Sequence, residues 1–79
     1  MSEKSIDSVV LFIFKTTSRS FERAIKKNDL TLAHDYIDVM ENDLENYWQV
    51  DDYTYRKISD IYMDAMNKYI HYEQARQRD

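Results

Sequence analysis

The residues of this chain that could perform chemistry are two histidines and a series of carboxylates. His34 and Asp38 are four residues apart, so on a helix both side chains lie on one side and can reach the same metal ion. A zinc site uses at least three protein ligands, and the spacing marks no third ligand for this pair. His71 stands alone among tyrosines. We therefore expect neither a metal site nor a catalytic site.

The residue types that are missing from the sequence exclude several kinds of functional site. The 79 residues include no glycine, no proline and no cysteine. Without glycine there is no loop that cradles a phosphate, and without cysteine there is neither a disulfide nor a thiolate metal site. We expect a protein that is not an enzyme and has no cofactor. The longest apolar run, residues 9–14, is too short for a membrane span, and we expect a cytoplasmic location.

The charges of the chain are separated along the sequence, and the net charge is -4. A basic stripe at four-residue spacing would line one side of a first helix: Lys15, Arg19, Arg23 and Lys27. Residues 29–52 contain acidic residues but no lysine or arginine. A second line, on the next helix, consists of His34, Asp38, Glu41 and Glu45. We expect the two lines to match each other within the chain, and we expect direct binding to nucleic acid to be weak.

The elements that position these residues must be helices, because tight β-hairpin turns favour glycine and no proline interrupts a helix. Apolar periodicity predicts three helices, at about residues 6–27, 30–48 and 53–76. Asn28 suits a left-handed helix end, Asp29 or Thr31 can cap the second helix, and Asp51 and Asp52 can cap the third. Short turns predict a single all-α domain, 1–79, folded as an antiparallel three-helix bundle. A helical hairpin with an independent third helix is the alternative.

The apolar run Val-Val-Leu-Phe-Ile-Phe at residues 9–14 covers every side of nearly two helical turns. A helix in a three-helix monomer ordinarily keeps one side in water. The run therefore predicts that a second chain or a partner covers part of this helix, and a homodimer is the simplest such assembly.

The third predicted helix has a heptad pattern in which tyrosine recurs every seven residues, at Tyr55, Tyr62 and Tyr69. Tyrosine suits an interface with one wet edge, so this line is either bundle core or a recognition surface. For a recognition surface we expect the apolar anchors Trp48, Tyr55, Tyr62, Met63, Met66 and Tyr69. We expect its acidic rim to consist of Asp35, Asp38, Glu41, Asp51 and Asp52.

Three short stretches resemble small regulators. Residues 21–28 (FERAIKKN) resemble part of the Hha/YmoA nucleoid modulators, although the central Asp-His-Arg motif of that family is absent. Residues 35–44 (DYIDVMENDL) are similar to the second helix of Sda, a hairpin that inhibits a sporulation histidine kinase. Residues 50–58 (VDDYTYRKI), with Tyr62, resemble the end of AbbA, an antirepressor that blocks the DNA-binding face of AbrB. What these resemblances imply is a helical protein that modulates a regulatory partner without catalysis.

The function that the sequence favours is that of a small regulatory or inhibitory protein of bacterial or phage type. It would bind a protein partner, such as a kinase or a DNA-binding regulator, through a tyrosine- and methionine-rich helical face with an acidic rim. Three alternatives remain open. The chain could be a homo-oligomeric structural module, a DNA mimic that blocks a basic DNA-binding surface, or a nucleic-acid-linked protein that uses the basic stripe.

Overall fold

The computed structural model describes residues 6–46 and 50–77, and it contains three helices. They are α1 (Ile6–Lys26), α2 (Leu30–Asn46) and α3 (Asp52–Gln77). The predicted boundaries are confirmed to within two residues, except that the predicted end of the second helix, at Trp48, lies outside the described residues. No helix in the described part of the chain combines the length and the apolar content that crossing a bilayer requires.

The three helices pack against one another in pairs and form an up-down-up bundle. Near the end of α3, the Tyr72 hydroxyl donates a hydrogen bond to Asn28 Oδ1 at 2.7 Å, just beyond the end of α1. Near the start of α2, the ring of His34 meets the ring of Tyr69 edge-on. The end of α3 therefore lies beside the end of α1 and the start of α2. The predicted antiparallel bundle is confirmed, and the alternative with an independent third helix is wrong.

Asn28 ends α1 and forms the turn to α2, as the sequence predicted. Asn28 has a left-handed backbone, with φ of 63°. Its N–H donates to the Ile25 carbonyl at 3.0 Å, and the Asp29 N–H donates to the Ala24 carbonyl at 2.9 Å. These are the two hydrogen bonds of a Schellman motif, with asparagine in the position that glycine usually occupies. The turn thus ends α1 cleanly in a chain that has no glycine.

Aspartates cap the two helices that follow. Asp29 Oδ1 accepts the Leu32 N–H at 3.1 Å, and Asp51 Oδ1 accepts the Thr54 N–H at 2.7 Å. Each carboxylate satisfies one of the backbone donors that a helix start leaves without an intrahelical partner. Two of the predicted caps, Asp29 and Asp51, are therefore confirmed.

The core runs along the axis of the bundle and receives side chains from all three helices. Its largest fully buried members are Phe14, Phe21, Met40, Ile58 and Val10. Burying such a side chain contributes about 1.5–3 kcal/mol relative to leaving it exposed. No buried side-chain oxygen or nitrogen in the described residues lacks a hydrogen-bond partner. This core holds the helices in place and leaves three outer faces between neighbouring helices.

Candidate functional site: the α2–α3 face

The candidate site is built on the side of α3 that turns toward α2 and solvent. Ile58 and Ala65 point into the core, with 0% and 2% of their surface exposed. Helical geometry of 100° per residue places Tyr55, Met63 and Ile70 on one flank of α3, with Tyr55 about 60° and Met63 about 140° around the helix from Ile58. They are 38%, 59% and 42% exposed. We call this flank, together with the facing acidic side of α2, the α2–α3 face.

The tyrosine line of α3 forms the floor of this face. Tyr62 and Tyr69 are half-buried and pack against the core, as does Met66. The positions three residues after Tyr55 and Tyr62, which are Ile58 and Ala65, are the fully buried ones. The heptad therefore splits into a buried line and a line at the bundle rim. The core interpretation therefore holds for the buried line, and the recognition surface stays a prediction for the line at the rim.

The acidic residues of α2 lie beside the tyrosine floor. Asp38 and Glu41 are exposed. Burial, with the Glu41 and Asp38 charges close by, raises the pKa of Tyr62. Burial also raises the pKa of Tyr69, together with the Glu73 and Asp38 charges. The structure thus brings two of the predicted apolar anchors, Tyr62 and Tyr69, close to part of the predicted acidic rim.

An open cleft of about 370 Å³ lies at the end of this face, beside the start of α2. It is lined by Leu30, Thr31, His34, Asp35, Tyr69 and Glu73. The His34 and Tyr69 rings, with centroids 5.7 Å apart, supply aromatic surface, while Asp35 and Glu73 supply negative charge. A carboxylate pair with an aromatic ring suits a guanidinium or ammonium group.

The same corner contains a set of potential metal ligands. His34 Nδ1 and Asp38 Oδ2 are 3.3 Å apart. Asp35 joins them, because one ligand atom from each of the three residues lies within 4.8 Å of the others. The sequence analysis found no third ligand and missed Asp35, which follows His34 directly. All three side chains are exposed, so water competes for every ligand position, and the set offers a divalent ion an open, one-sided site.

Two of the predicted site residues, Asp51 and Asp52, lie at the start of α3. The Asp51 carboxylate accepts hydrogen bonds from the backbone and the side chain of Thr54, and both lower its pKa. It also shares a side-chain hydrogen bond with Asp7, which raises the pKa of Asp7. Asp51 therefore serves as a helix cap in contact with α1, and it is exposed, so its place in the acidic rim stays a prediction. Asp52 is exposed in the first turn of α3. Trp48 lies outside the described residues.

The expected matching of the basic stripe with α2 is also wrong. All four side chains of the stripe are exposed. The ion pairs among the described residues join Lys68 to Glu22 and Asp64, and His34 to Asp38. The reason is geometric: residues four apart advance by 40° around a helix, so the stripe winds across the outer surface of α1. The acids of α2 meanwhile turn toward α3.

Two further members of the site were not among the predicted site residues. Ile70 is seven residues after Met63 and thus lies on the same side of α3, so the sequence does contain the signal for it. Glu73 is four residues after Tyr69 and lines the cleft, but only the packing of α3 against the start of α2 shows its relation to Asp35.

Comparison with protein-family models, with curated proteins and with solved structures gives no match for this chain. The resemblances of short stretches to Sda, AbbA and the Hha/YmoA proteins therefore stay predictions.

Proposed function

We propose that the chain is a non-enzymatic regulatory protein that inhibits or modulates a cytoplasmic partner protein by docking on it through the α2–α3 face. The observation that supports this proposal is the row of exposed apolar side chains on α3, Tyr55, Met63 and Ile70, next to an acidic row on α2. Exposed apolar side chains that share one side of a helix and are rimmed by charges are typical of protein interfaces.

The chemistry of the face defines the partner. Met63 and Ile70 offer flexible and branched apolar surface, and methionine adapts to irregular shapes. Asp38 and Glu41 add negative charge along one edge. The partner surface that fits is apolar in its middle and basic along one side. Opposite charges of this kind accelerate encounter and orient the complex, while the buried apolar anchors supply most of the affinity.

The cleft beside Tyr69 would anchor one end of the bound partner. An arginine of the partner would stack on the Tyr69 and His34 rings and pair with Asp35 or Glu73. Because guanidinium groups bind carboxylates through two parallel hydrogen bonds and also stack on aromatic rings, arginine fits this cleft better than lysine does.

A partner with a mixed surface is favoured over one with a purely basic DNA-binding groove. Protein grooves that bind DNA direct most of their hydrogen bonds to phosphates, so a DNA mimic needs a continuous display of negative charge. The α2–α3 face instead places Met63 and Ile70 beside its carboxylates. DNA mimicry therefore stays the second hypothesis for this same surface.

Site-specific photo-crosslinking tests the proposal. A photoreactive phenylalanine analogue replaces Met63 in the full chain, which is then irradiated in a lysate of the organism that encodes it. The matched control carries the analogue at Tyr53, which is 68% exposed on the same helix but on the side away from α2. We expect a defined crosslinked protein from position 63 and none from position 53. Equal crosslinking from both positions, or none from position 63, contradicts the proposal.

A further inference from the structure

The side of α1 that points away from the core carries positive charges that no described residue neutralises. Arg19 is nine residues after the buried Val10, so it lies about 180° around the helix from that core residue. The exposed residues at positions 13–27 are Lys15, Thr16, Arg19, Arg23, Lys26 and Lys27. Five of these six are bases, and none of the five forms an ion pair with a described residue. We call these six residues the outer face of α1.

The acids of the bundle leave these bases unpaired. Glu22, on the flank of α1, pairs with Lys68 of α3, while Asp38 and Glu41 of α2 lie near tyrosines of α3. At 0.1 M salt, charges in water are largely screened beyond about 10 Å, which is about the distance between two packed helix axes. The net charge of -4 therefore opposes an anion at the outer face only weakly. The expected match between the basic stripe and α2, which would have blocked such an anion, does not form.

The composition of the outer face of α1 is typical of a phosphate-binding surface. Protein interfaces have an apolar centre and are depleted in lysine, but none of the six side chains is apolar. Lysine, arginine and threonine all donate hydrogen bonds to the phosphate oxygens of DNA. A membrane surface fits less well, because an interfacial helix buries a wide apolar side in the bilayer, and that side of α1 lies in the bundle core.

The spacing of the bases suits a DNA double helix. Lys15 and Lys27 are twelve residues apart, which corresponds to about 18 Å along α1 and about 120° around it. Five charges in this length amount to about one per 4 Å, close to the one phosphate per about 3.4 Å of axis along a DNA strand. The arc directs Lys15 and Lys27 to opposite flanks of the helix, as the two phosphate walls of a groove require. Single strands are bound largely by stacking on aromatic rings, and the outer face of α1 has none.

We propose that the outer face of α1 binds duplex DNA without sequence preference, with α1 lying along the major groove. That groove is about 12 Å wide and admits an α-helix. Lys15 and Lys26 pair with phosphates on one side, Arg23 and Lys27 pair with phosphates on the other, and Arg19 lies between them. Phosphate contacts carry no sequence information directly. This activity goes beyond the proposed function, because the α2–α3 face takes no part in it.

Titration of a labelled duplex of about 20 base pairs with the full chain, followed by fluorescence anisotropy, tests the proposal. At about 50 mM salt we expect a dissociation constant of about 1–10 µM. Three to five phosphate contacts should make binding roughly 20- to 140-fold weaker at about 150 mM salt, which agrees with the weak binding expected from the sequence. A chain that leaves the duplex unbound at about 300 µM and about 50 mM salt overturns the proposal.

Two matched variants test the position of the DNA. Arg19→Gln and Arg56→Gln each remove one exposed arginine, the first from the outer face of α1 and the second from α3. Arg19→Gln should weaken binding about three- to tenfold and reduce the slope of log K against log salt by about 0.9. Arg56→Gln should change neither quantity, and both variants should keep the helicity of the wild type. Equal weakening by the two variants would mean that only the net charge matters, and it contradicts the proposal.

Competition tests the choice of duplex DNA over other anions. The bound label is displaced with the unlabelled duplex, with one of its strands, with poly-glutamate or with phosphatidylserine vesicles, all compared at equal negative charge. We expect the duplex to compete best, and any other anion that competes as well as the duplex overturns the proposal. Met63→Ala with Ile70→Ala, in the α2–α3 face, should bind DNA like the wild type. Failure of this proposal is therefore distinguishable from failure of the proposed function.

Discussion

Asn28 shows how a single side chain replaces the glycine that this sequence lacks. Its left-handed backbone ends α1, and its side-chain oxygen accepts a hydrogen bond from Tyr72 of α3. One residue therefore closes the turn between α1 and α2 and also fastens α3 to that turn. Asparagine tolerates the left-handed region better than most residues because its short polar side chain can form local hydrogen bonds.

Asn28→Ala should lower the free energy of unfolding by about 1–2 kcal/mol, because alanine has no polar side chain to offset the cost of the left-handed backbone, and it should also lose the Tyr72 contact. Asn28→Gly avoids the backbone cost, because glycine adopts the left-handed conformation freely. It still loses the hydrogen bond from Tyr72, which typically contributes about 0.5–1.5 kcal/mol. Tyr72→Phe serves as the control for that bond alone. Urea denaturation measures all three variants, and equal stability of the alanine and glycine variants would contradict the role of the turn.

Asp51, which caps the start of α3, makes the stability of the fold depend on pH. Its hydrogen bonds from Thr54 hold its pKa below the ordinary value of 3.8. A lowered pKa in the folded state means that the ionised cap stabilises the protein above about pH 4 and that this stabilisation is lost as the pH falls through the lower folded value. The pKa of Asp7 is raised by its hydrogen bond with Asp51. The Asp7 carboxyl therefore shifts stability in the opposite direction, at pH values above the ordinary 3.8 and not below it.

Asp51→Asn should keep the cap, since asparagine is as good at this position, but it removes the titrating charge. We expect its melting temperature to fall less than that of the wild type between pH 4 and pH 2, as followed by circular dichroism. Asp51→Ala, which cannot cap, should melt lower than both at pH 7. Parallel pH profiles of the wild type and Asp51→Asn would show that the Asp51 carboxylate has no such role.

At the scale of the helix, α3 combines two functions on two neighbouring lines. Ile58 is completely buried, whereas Met63, five residues later and more than a quarter turn away, is 59% exposed. The same helix can thus hold the bundle together with one line and offer a docking surface with the other.

Ile58→Ala should destabilise the bundle by about 2–5 kcal/mol because it opens a cavity in a small core. Met63→Ala should change stability by less than about 0.5 kcal/mol because it removes an exposed side chain. Tyr62→Ala, at the half-buried floor, should fall between the two. Chemical denaturation of the three variants checks this order, and a Met63 effect as large as that of Ile58 would place Met63 in the core.

The helices could be predicted from the sequence because apolar periodicity and the residues of the turns are local signals. Asn28, Asp29 and Asp51 act where their types predicted. The relation between helices could not be predicted as well. The pairing of the basic stripe with α2 failed because the sequence does not show how far a four-residue stripe winds around α1. Asp35 and Glu73 line one cleft only because α2 and α3 pack together, and the sequence does not show that packing. The types of residue in the candidate site could therefore be predicted. Which of them are half-buried, which are exposed and which line the cleft could not.

At the scale of the whole molecule, the bundle has outer faces of different character. The α2–α3 face combines exposed methionine, isoleucine and tyrosine with carboxylates. On α1 and α2, the large apolar side chains that stay exposed are Val9, Phe12, Leu32 and Val39. The exposed apolar surface of the described residues is thus shared among all three helices.

The central claim, docking through the α2–α3 face, is tested most directly by titrating the crosslinked partner, once purified, with three forms of the full chain: wild type, Met63→Ala with Ile70→Ala, and Tyr53→Ala. We predict that the double variant binds at least about 30-fold more weakly (about 2 kcal/mol), while Tyr53→Ala binds like the wild type. All three should have the same helicity and melting temperature. Unchanged affinity of the double variant, with the fold intact, would contradict the claim.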